Sequence, residues 1–399
     1  MFLDYQDKRS ESLILNKDGR GCLSNKSDYI ATNKLIRGDN LQVMKCLLYD
    51  FNFAETVDLV YIDPPFSTKN VFKISEGRAN TISSSHSDLV AYSDVLTGSL
   101  FLEFLRERMI LLRELMSKNA SIYVHIDYKI GHYVKVIMDE VFGIDNFRND
   151  ITRIKCNPKN FSRKAYGNIK DLILFYTKTD SYEWHEPKIN LSDEDLERLF
   201  KKTEVDGRRY TTVPLHAPGE TKNGVTGQPW RGSAPPKGRH WRSDPKVLDE
   251  LDANGLVEWS KNGVPRKKIY ADDGEKAGKK LQDIWTFKDP QYPSYPTEKN
   301  SELLELIINT SSKEGDLVLD CFSGSGSTLL AASKLNRNWI GIDQSEHAID
   351  VAKKHLKDAS PNLFSAEQYE YLEWSEKVEP AKVQRHTTKV TNPFQPVSF

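Results

Sequence analysis

Residues 317–328 read LVLDCFSGSGST, and residues 339–343 read WIGID after a stretch with helical spacing. An apolar strand ending in Asp320, a turn carrying Gly324 and Gly326, a helix over TLLAASKL and a second strand ending in Asp343 form one α/β unit. Glycines in such a turn let a ligand approach the backbone, and an acidic residue ending the next strand can accept hydrogen bonds from ribose hydroxyls. A phosphate-cradling loop needs a lysine before its Ser/Thr, but Gly326 is followed by Ser327 and Thr328. A dinucleotide loop wants a third glycine for helix packing, whereas Leu329 follows here, and the Asp320 carboxylate would repel a pyrophosphate. S-adenosylmethionine, with a ribose, an adenine and a cationic amino-acid end, fits better. The turn alone is also compatible with a purely structural role.

Outward from this unit, α/β patterning begins near Lys34 with LIRGD, NLQVMKCLLYDF and VDLVYID. Apolar residues at helical spacing (Leu102, Leu105, Met109, Leu112, Met116) predict a helix over 100–116, followed by the strand SIYVHID ending at Asp127 and a helix over 133–142. DITRIKC and DLILFYTK read as an antiparallel pair closing the sheet, joined by the basic loop NPKNFSRKAYGNIK. The spacing divides the chain into an N-terminal extension (1–32), a first half-domain (33–180), an insertion (181–289), a second half-domain (290–360) and a peripheral tail (361–399). In the insertion Trp230, Trp241 and Trp259 lie among Arg208, Arg231, Arg239 and Arg242. That mixture suits phosphate contacts with base stacking, or equally a small satellite core with a basic face.

The second chemical signal is Asp63-Pro64-Pro65-Phe66, directly after the apolar strand VDLVYI. Consecutive prolines at a strand end hold a rigid extended turn whose carbonyls no helix can claim. The Asp63 carboxylate and the Pro64 carbonyl can together accept both hydrogens of an amino group, and Phe66 offers a face to a heteroaromatic ring. An exocyclic base amine is a poor nucleophile because its lone pair is delocalised, and accepting its hydrogens favours pyramidalisation. Both strand ends belong on the carboxyl edge of one parallel sheet, so donor and acceptor can share a crevice. A base inside a duplex reaches such a crevice only by flipping out. An Asp-Pro turn that merely ends a strand is the bland alternative.

The 399 residues carry a net charge of −1 with 28% charged and 38% hydrophobic residues. No apolar run is long enough for a membrane span and the start lacks a secretion signal, so a cytoplasmic protein is expected. Cys22, Cys46, Cys156 and Cys321 are scattered, and no metal site is expected. Basic residues concentrate locally, with Lys155, Lys159, Arg163 and Lys164 in one acid-free stretch.

The chain resembles the beta group of DNA amino-methyltransferases, including the modification subunits of type III restriction systems. The resemblance rests on LIRGDNLQVMKCL, VDLVYIDPPF, SIYVHID, LQDIW, YPTEKN and DLVLDCFSGSGST with WIGID, in that order from about Lys34 to His355. It implies a class I S-adenosylmethionine-dependent, Rossmann-like methyltransferase sheet with circularly permuted motif order, in which 181–289 is the target-recognition region. Asp63, Pro64, Pro65 and Phe66 match the catalytic tetrapeptide, and Phe66 replaces the usual tyrosine. Asp320, Phe322, Gly324, Ser325, Gly326 and Thr328 match the cofactor loop, and Asp343 the ribose contact. Asp39 and Asn40 match the segment beside the cofactor adenine, and Thr297 and Lys299 the segment supporting its methionine end. Lys155, Lys159, Arg163, Lys164, Arg231, Arg239 and Arg242 are the expected contacts to double-stranded DNA. Asp in the first tetrapeptide position points to adenine N6. N4-cytosine methylation, a specificity subunit active only with a partner, and methylation of a protein glutamine are the alternatives. The resemblance also implies a restriction-modification setting, with a homodimer and an endonuclease subunit as candidate partners.

Overall fold

In the computed structural model the described residues are 3–17, 21–27, 31–65, 71–75, 78–80, 89–93, 98–158, 164–189, 191–273, 279–289, 299–359 and 369–376. Phe66, Lys159, Arg163 and Thr297 lie outside them. Two compact units separate, residues 186–282 and the remainder. The smaller unit lies within the expected insertion of 181–289.

The larger unit is built on a ten-stranded sheet. Its strands are β1 (Cys22–Asn25), β2 (Asn33–Arg37), β3 (Val57–Ile62), β4 (Met116–Ile126), β5 (Phe147–Ile154), β6 (Lys170–Thr177), β7 (Ile284–Thr286), β8 (Leu317–Asp320), β9 (Asn338–Asp343) and β10 (Tyr369–Ser375). They lie in the order β1-β10-β2-β9-β8-β3-β4-β6-β5-β7. The block from β10 to β4 is parallel, and β6 then runs antiparallel to both β4 and β5. This is the Rossmann-like sheet expected from the alternation of apolar runs and helices, with the predicted antiparallel pair beyond β4. Strand β8, late in the chain, pairs directly with β3, so the glycine turn and the Asp-Pro-Pro turn issue from neighbouring strands. That adjacency is the permuted motif order in structural form.

Helices α1 (Asn40–Tyr49), α2 (Ser99–Leu115), α3 (Gly131–Phe142), α4 (Ser301–Ser311), α5 (Ser327–Lys334) and α6 (Glu346–Asp358) cover the sheet. Helix α2 buries Phe101, Leu105, Met109 and Leu112, one stripe at helical spacing, each contributing about 1.5–3 kcal/mol of transfer free energy. Gly341 on β9 admits α5 closely, since a Cβ there would lie 2.4 Å from Leu329 Cδ1. The close helix packing that a third loop glycine would give is thus supplied from the neighbouring strand. No helix among the described residues is long and apolar enough to cross a membrane.

One peripheral expectation is corrected. The tail beyond 361 contributes β10, which sits between β1 and β2 with Tyr369, Glu370 and Leu372 buried. Its alternation of bulky and polar residues in YEYLEWS is a strand pattern obscured by polar neighbours. The N-terminal extension wraps the domain: Ile14 is in the core, Lys8 pairs with Glu140 at 2.8 Å, and the Tyr5 hydroxyl donates to Glu103 Oε2 at 2.6 Å.

The smaller unit holds an antiparallel sheet of residues 202–203, 209–214, 265–270 and 257–259, with a helix over Pro245–Ala253. Trp230 and Trp241 are buried with Leu215 and Leu248, and their indole N–H groups donate to Asp249 and to the Gln228 carbonyl. Those two tryptophans are core residues, which removes them as base-stacking candidates. Trp259 stacks on Trp230 and remains 38% exposed.

Candidate active site

The glycine turn leaves β8 at Asp320, whose carboxylate accepts the Phe322 N–H at 3.0 Å. Gly326 adopts φ +79°, and a Cβ there would lie 3.0 Å from Ala352 Cβ on α6, so the backbone path requires glycine. Asp343 holds the turn from the next strand, accepting the Gly324 N–H at 2.9 Å and the Ser345 N–H at 2.8 Å. A carboxylate has further lone pairs, so these bonds leave Asp343 able to accept from a ligand hydroxyl. The Ser323 hydroxyl is buried with no hydrogen-bond partner among the described residues, an acceptor and donor left over at the turn. Ser325 and Thr328 are also buried there, and the Ser325 hydroxyl lies 3.2 Å from that of Ser327.

Burial pushes the Asp320 carboxyl up to about 7, helped by the nearby Asp63 and Asp343 charges and opposed by hydrogen bonds from Thr328 and Phe322. Three carboxylates around one glycine turn make a site for a cation, the opposite of a phosphate cradle.

Asp39 and Asn40 come to this turn, but through a residue that the sequence reading did not single out. Arg108, buried on α2, donates from Nε to Asn40 Oδ1 at 2.5 Å and from Nη2 to Asp39 Oδ2 at 3.3 Å. Asn40 Nδ2 in turn donates to the Cys321 carbonyl at 2.7 Å, and Asp39 caps α1 by accepting the Gln42 N–H. The Arg108 guanidinium also lies 3.5 Å over the Phe104 ring, which leans on Phe322. An arginine inside an apolar helical stripe was the available signal.

Asp63 and Pro64 stand at the end of β3. Lys299 Nζ lies 2.7 Å from Asp63 Oδ2, so Lys299, expected beside the cofactor's methionine end, is bonded to the tetrapeptide. Asp63 Oδ1 is buried and has no hydrogen-bond partner among the described residues. Behind it lies fully buried His125, with Nδ1 at 2.9 Å from the Tyr61 hydroxyl. Next to His125 are Asp171 and then Arg153, which donates to Asp289 Oδ1 at 2.5 Å and to the Phe287 carbonyl at 2.8 Å. Lys155, expected on DNA phosphates, instead donates to Asp171 Oδ1 at 2.7 Å.

Of the other expected DNA contacts, Lys164 is exposed. Arg231 is bound by Asp249 and Asp252, which neutralise it locally. Arg239 and Arg242 are exposed around His216, and burial together with the charges of Arg239, Arg242 and Arg266 holds that imidazole below its ordinary pKa.

The profile described as "DNA methylase", covering N6 and N4 methyltransferases, matches residues 57–354. The type II methyltransferase M.EcaI of Enterobacter cloacae is 41% identical over 366 residues, covering 89% of this chain and 77% of that protein. The StyLTI Mod subunit of a type III restriction-modification enzyme of Salmonella typhimurium is 27% identical over 365 residues, and the match spans about half of it, 54%, against 81% of this chain. Among solved structures, M1.HpyAVI in complex with SAM aligns with a TM-score of 0.43 and 18% identity, over 81% of this chain and 98% of that one.

Proposed function

Because the chain belongs to the N6/N4 DNA methylase family, we propose that it transfers a methyl group from S-adenosylmethionine to the N6 amino group of a flipped adenine in double-stranded DNA, within a restriction-modification setting. The observation that carries this reading is Asp63 Oδ1, a buried carboxylate oxygen with no partner among the described residues, one strand away from a glycine turn ringed by carboxylates. A buried acceptor without a partner costs about 1–3 kcal/mol, and an amine hydrogen would satisfy it. Bound S-adenosylmethionine supplies an electrophilic methyl group on a cationic sulfur. Asp343, with lone pairs to spare, would accept from the ribose, and the Ser323 hydroxyl would meet the rest of the ligand. Asp63 Oδ1 accepts one amine hydrogen and the Pro64 carbonyl the other, which turns the nitrogen lone pair out of the base plane. Lys299 holds the second Asp63 oxygen and fixes the direction in which the first one points. Phe66 is the expected stacking face, Lys164, Arg239 and Arg242 the expected phosphate contacts.

Adenine is read from Asp63 in the first position of the tetrapeptide, where the family resemblance associates serine with cytosine. Incubating the protein with unmethylated DNA and S-adenosylmethionine, then resolving nucleosides by mass spectrometry, tests this. N6-methyladenine is the expected product, N4-methylcytosine would replace the base assignment, and neither product with cofactor bound would overturn the reading.

Cofactor affinity should depend on pH. Asp320, pushed up to about 7, is largely protonated below that value and ionised above it. A cationic ligand on this turn favours the ionised form, so affinity rises as pH rises, by up to about tenfold between roughly pH 6 and 8. Calorimetric titration across that range checks the slope, and Asp320→Asn should flatten it.

A further inference from the structure

The smaller unit carries a row of arginines along residues 212–216. Arg266 opposes Pro214 in the antiparallel pair of 209–214 with 265–270, and its side chain reaches Thr212, donating from Nε to Oγ1 at 2.9 Å and from Nη2 to the carbonyl at 2.7 Å. Arg242 donates from Nε to the Pro214 carbonyl at 3.2 Å, and its backbone N–H donates to the Leu215 carbonyl at 2.8 Å. Residues 216–218 pair with 239–241, and Arg239 Nη1 lies 3.2 Å from His216 Nδ1. A guanidinium only donates, so that imidazole nitrogen is the acceptor. Thr212, Pro214 and His216 therefore each hold one arginine, at alternate positions of the chain. Thr212 and Pro214 belong to one strand, along which two residues span about 7 Å.

None of the three charges is neutralised. Arg198, Arg208 and Arg231 of the same unit are held by Asp195, Asp272 and the pair Asp249 and Asp252, whereas Arg239, Arg242 and Arg266 form no ion pair among the described residues. Glu258, across the strands from Arg266, is turned to Lys202 and to the Tyr210 hydroxyl. The neutral partners fix each guanidinium through one or two of its N–H groups and leave its charge and its other donors open. Arg239 and Arg242 are exposed and Arg266 is half-buried. Like charges gathered around one imidazole repel each other, and the fold gains nothing from that.

Donors spaced at alternate residues, with no anion of their own, match the one feature of DNA that repeats whatever the sequence. Successive phosphates of a single strand lie at a comparable spacing, and guanidinium groups bind phosphate oxygens in pairs. We propose that Arg266, Arg242 and Arg239 form a rail that holds successive phosphates along one strand of duplex DNA, a sequence-independent contact that sets the register of the smaller unit on the duplex. His216 is a positioning residue for Arg239. The inference rests on the reading of DNA as the substrate; it adds Arg266 to the two expected phosphate contacts and joins the three into one device.

The test uses the full-length protein and two unmethylated duplexes of unrelated sequence, with binding measured by fluorescence anisotropy across a salt series. Arg239→Gln, Arg242→Gln and Arg266→Gln should each reduce the slope of log affinity against log salt by about 0.9, on both duplexes alike. Arg208→Gln, whose charge Asp272 already meets, should leave the slope unchanged. In the wild type, duplex DNA should block modification of Arg239, Arg242 and Arg266 by phenylglyoxal, read residue by residue by mass spectrometry. A wild-type slope in any of the three variants overturns the proposal, and so does a loss confined to one duplex, which is the mark of base reading. Wild-type arginines that stay reactive in the presence of DNA also overturn it, even if no variant folds. Neither readout needs turnover, so protein that protects the three arginines but yields no methylated base fails the proposed reaction alone, and protein that methylates DNA with the three unprotected fails the rail alone.

Discussion

Asp63→Ala is expected to slow single-turnover methyl transfer by about a thousandfold with cofactor affinity little changed. The carboxylate contributes in two ways. Oδ1 is the buried acceptor without a partner among the described residues, and Oδ2 holds Lys299 at 2.7 Å. Alanine removes the acceptor, so the amine keeps its lone pair in the ring system and meets the methyl group in the wrong geometry. Lys299 loses its carboxylate but is 12% exposed, which gives the ammonium access to water and keeps the fold. Quench-flow with radiolabelled methyl donor measures the step, and a rate within about tenfold of wild type would sink the assignment of Asp63 as the amine acceptor.

Arg108→Met should be the most damaging substitution away from the tetrapeptide, costing about 3 kcal/mol or more in urea unfolding and weakening cofactor binding more than tenfold. Methionine keeps an unbranched apolar stem but ends short of the guanidinium, so the hydrogen bonds and the cation–π contact with Phe104 are lost together. It leaves Asn40 Oδ1 buried without its donor and Asp39 without its cation. The Asn40 amide, which holds the Cys321 carbonyl at 2.7 Å, is then free to rotate, and the start of the glycine turn loosens. Burial lowers the Arg108 pKa, yet an arginine stays charged throughout the accessible range, so the effect should not vary with pH. Equal stability of variant and wild type would show that Arg108 is a passive filler of α2.

The carboxyl-edge site was readable from the sequence because its parts are local. A strand, a glycine turn and a helix are consecutive at 317–334, and the Asp-Pro-Pro turn directly follows an apolar strand, so residue type and spacing already specify the backbone. The parallel strands and their helices followed from periodicity for the same reason. Where the reading failed, composition hid a tertiary role. YEYLEWS, with its charged residues, looked peripheral but is sheltered as β10 between two strands. For Trp230 and Trp241 the sequence left base stacking and a small satellite core equally open, and packing decides for the core. Lys155, one cation of a basic loop in the sequence, pairs with Asp171 across the strands.

What the sequence by itself determined is therefore the chemistry on offer: the Rossmann-like sheet, a carboxylate-ringed glycine turn, and an Asp-Pro-Pro acceptor. Only the tertiary structure decided which side chains support that chemistry. His125, Asp171 and Arg153 come from three strands separated in the chain, and they share one face because strand register, a sum of many long-range hydrogen bonds, aligns them. Arg108 meets Asp39 and Asn40 because α1 and α2 pack together. No local pattern encodes such meetings, since the free energy that creates them is spread over the whole buried core.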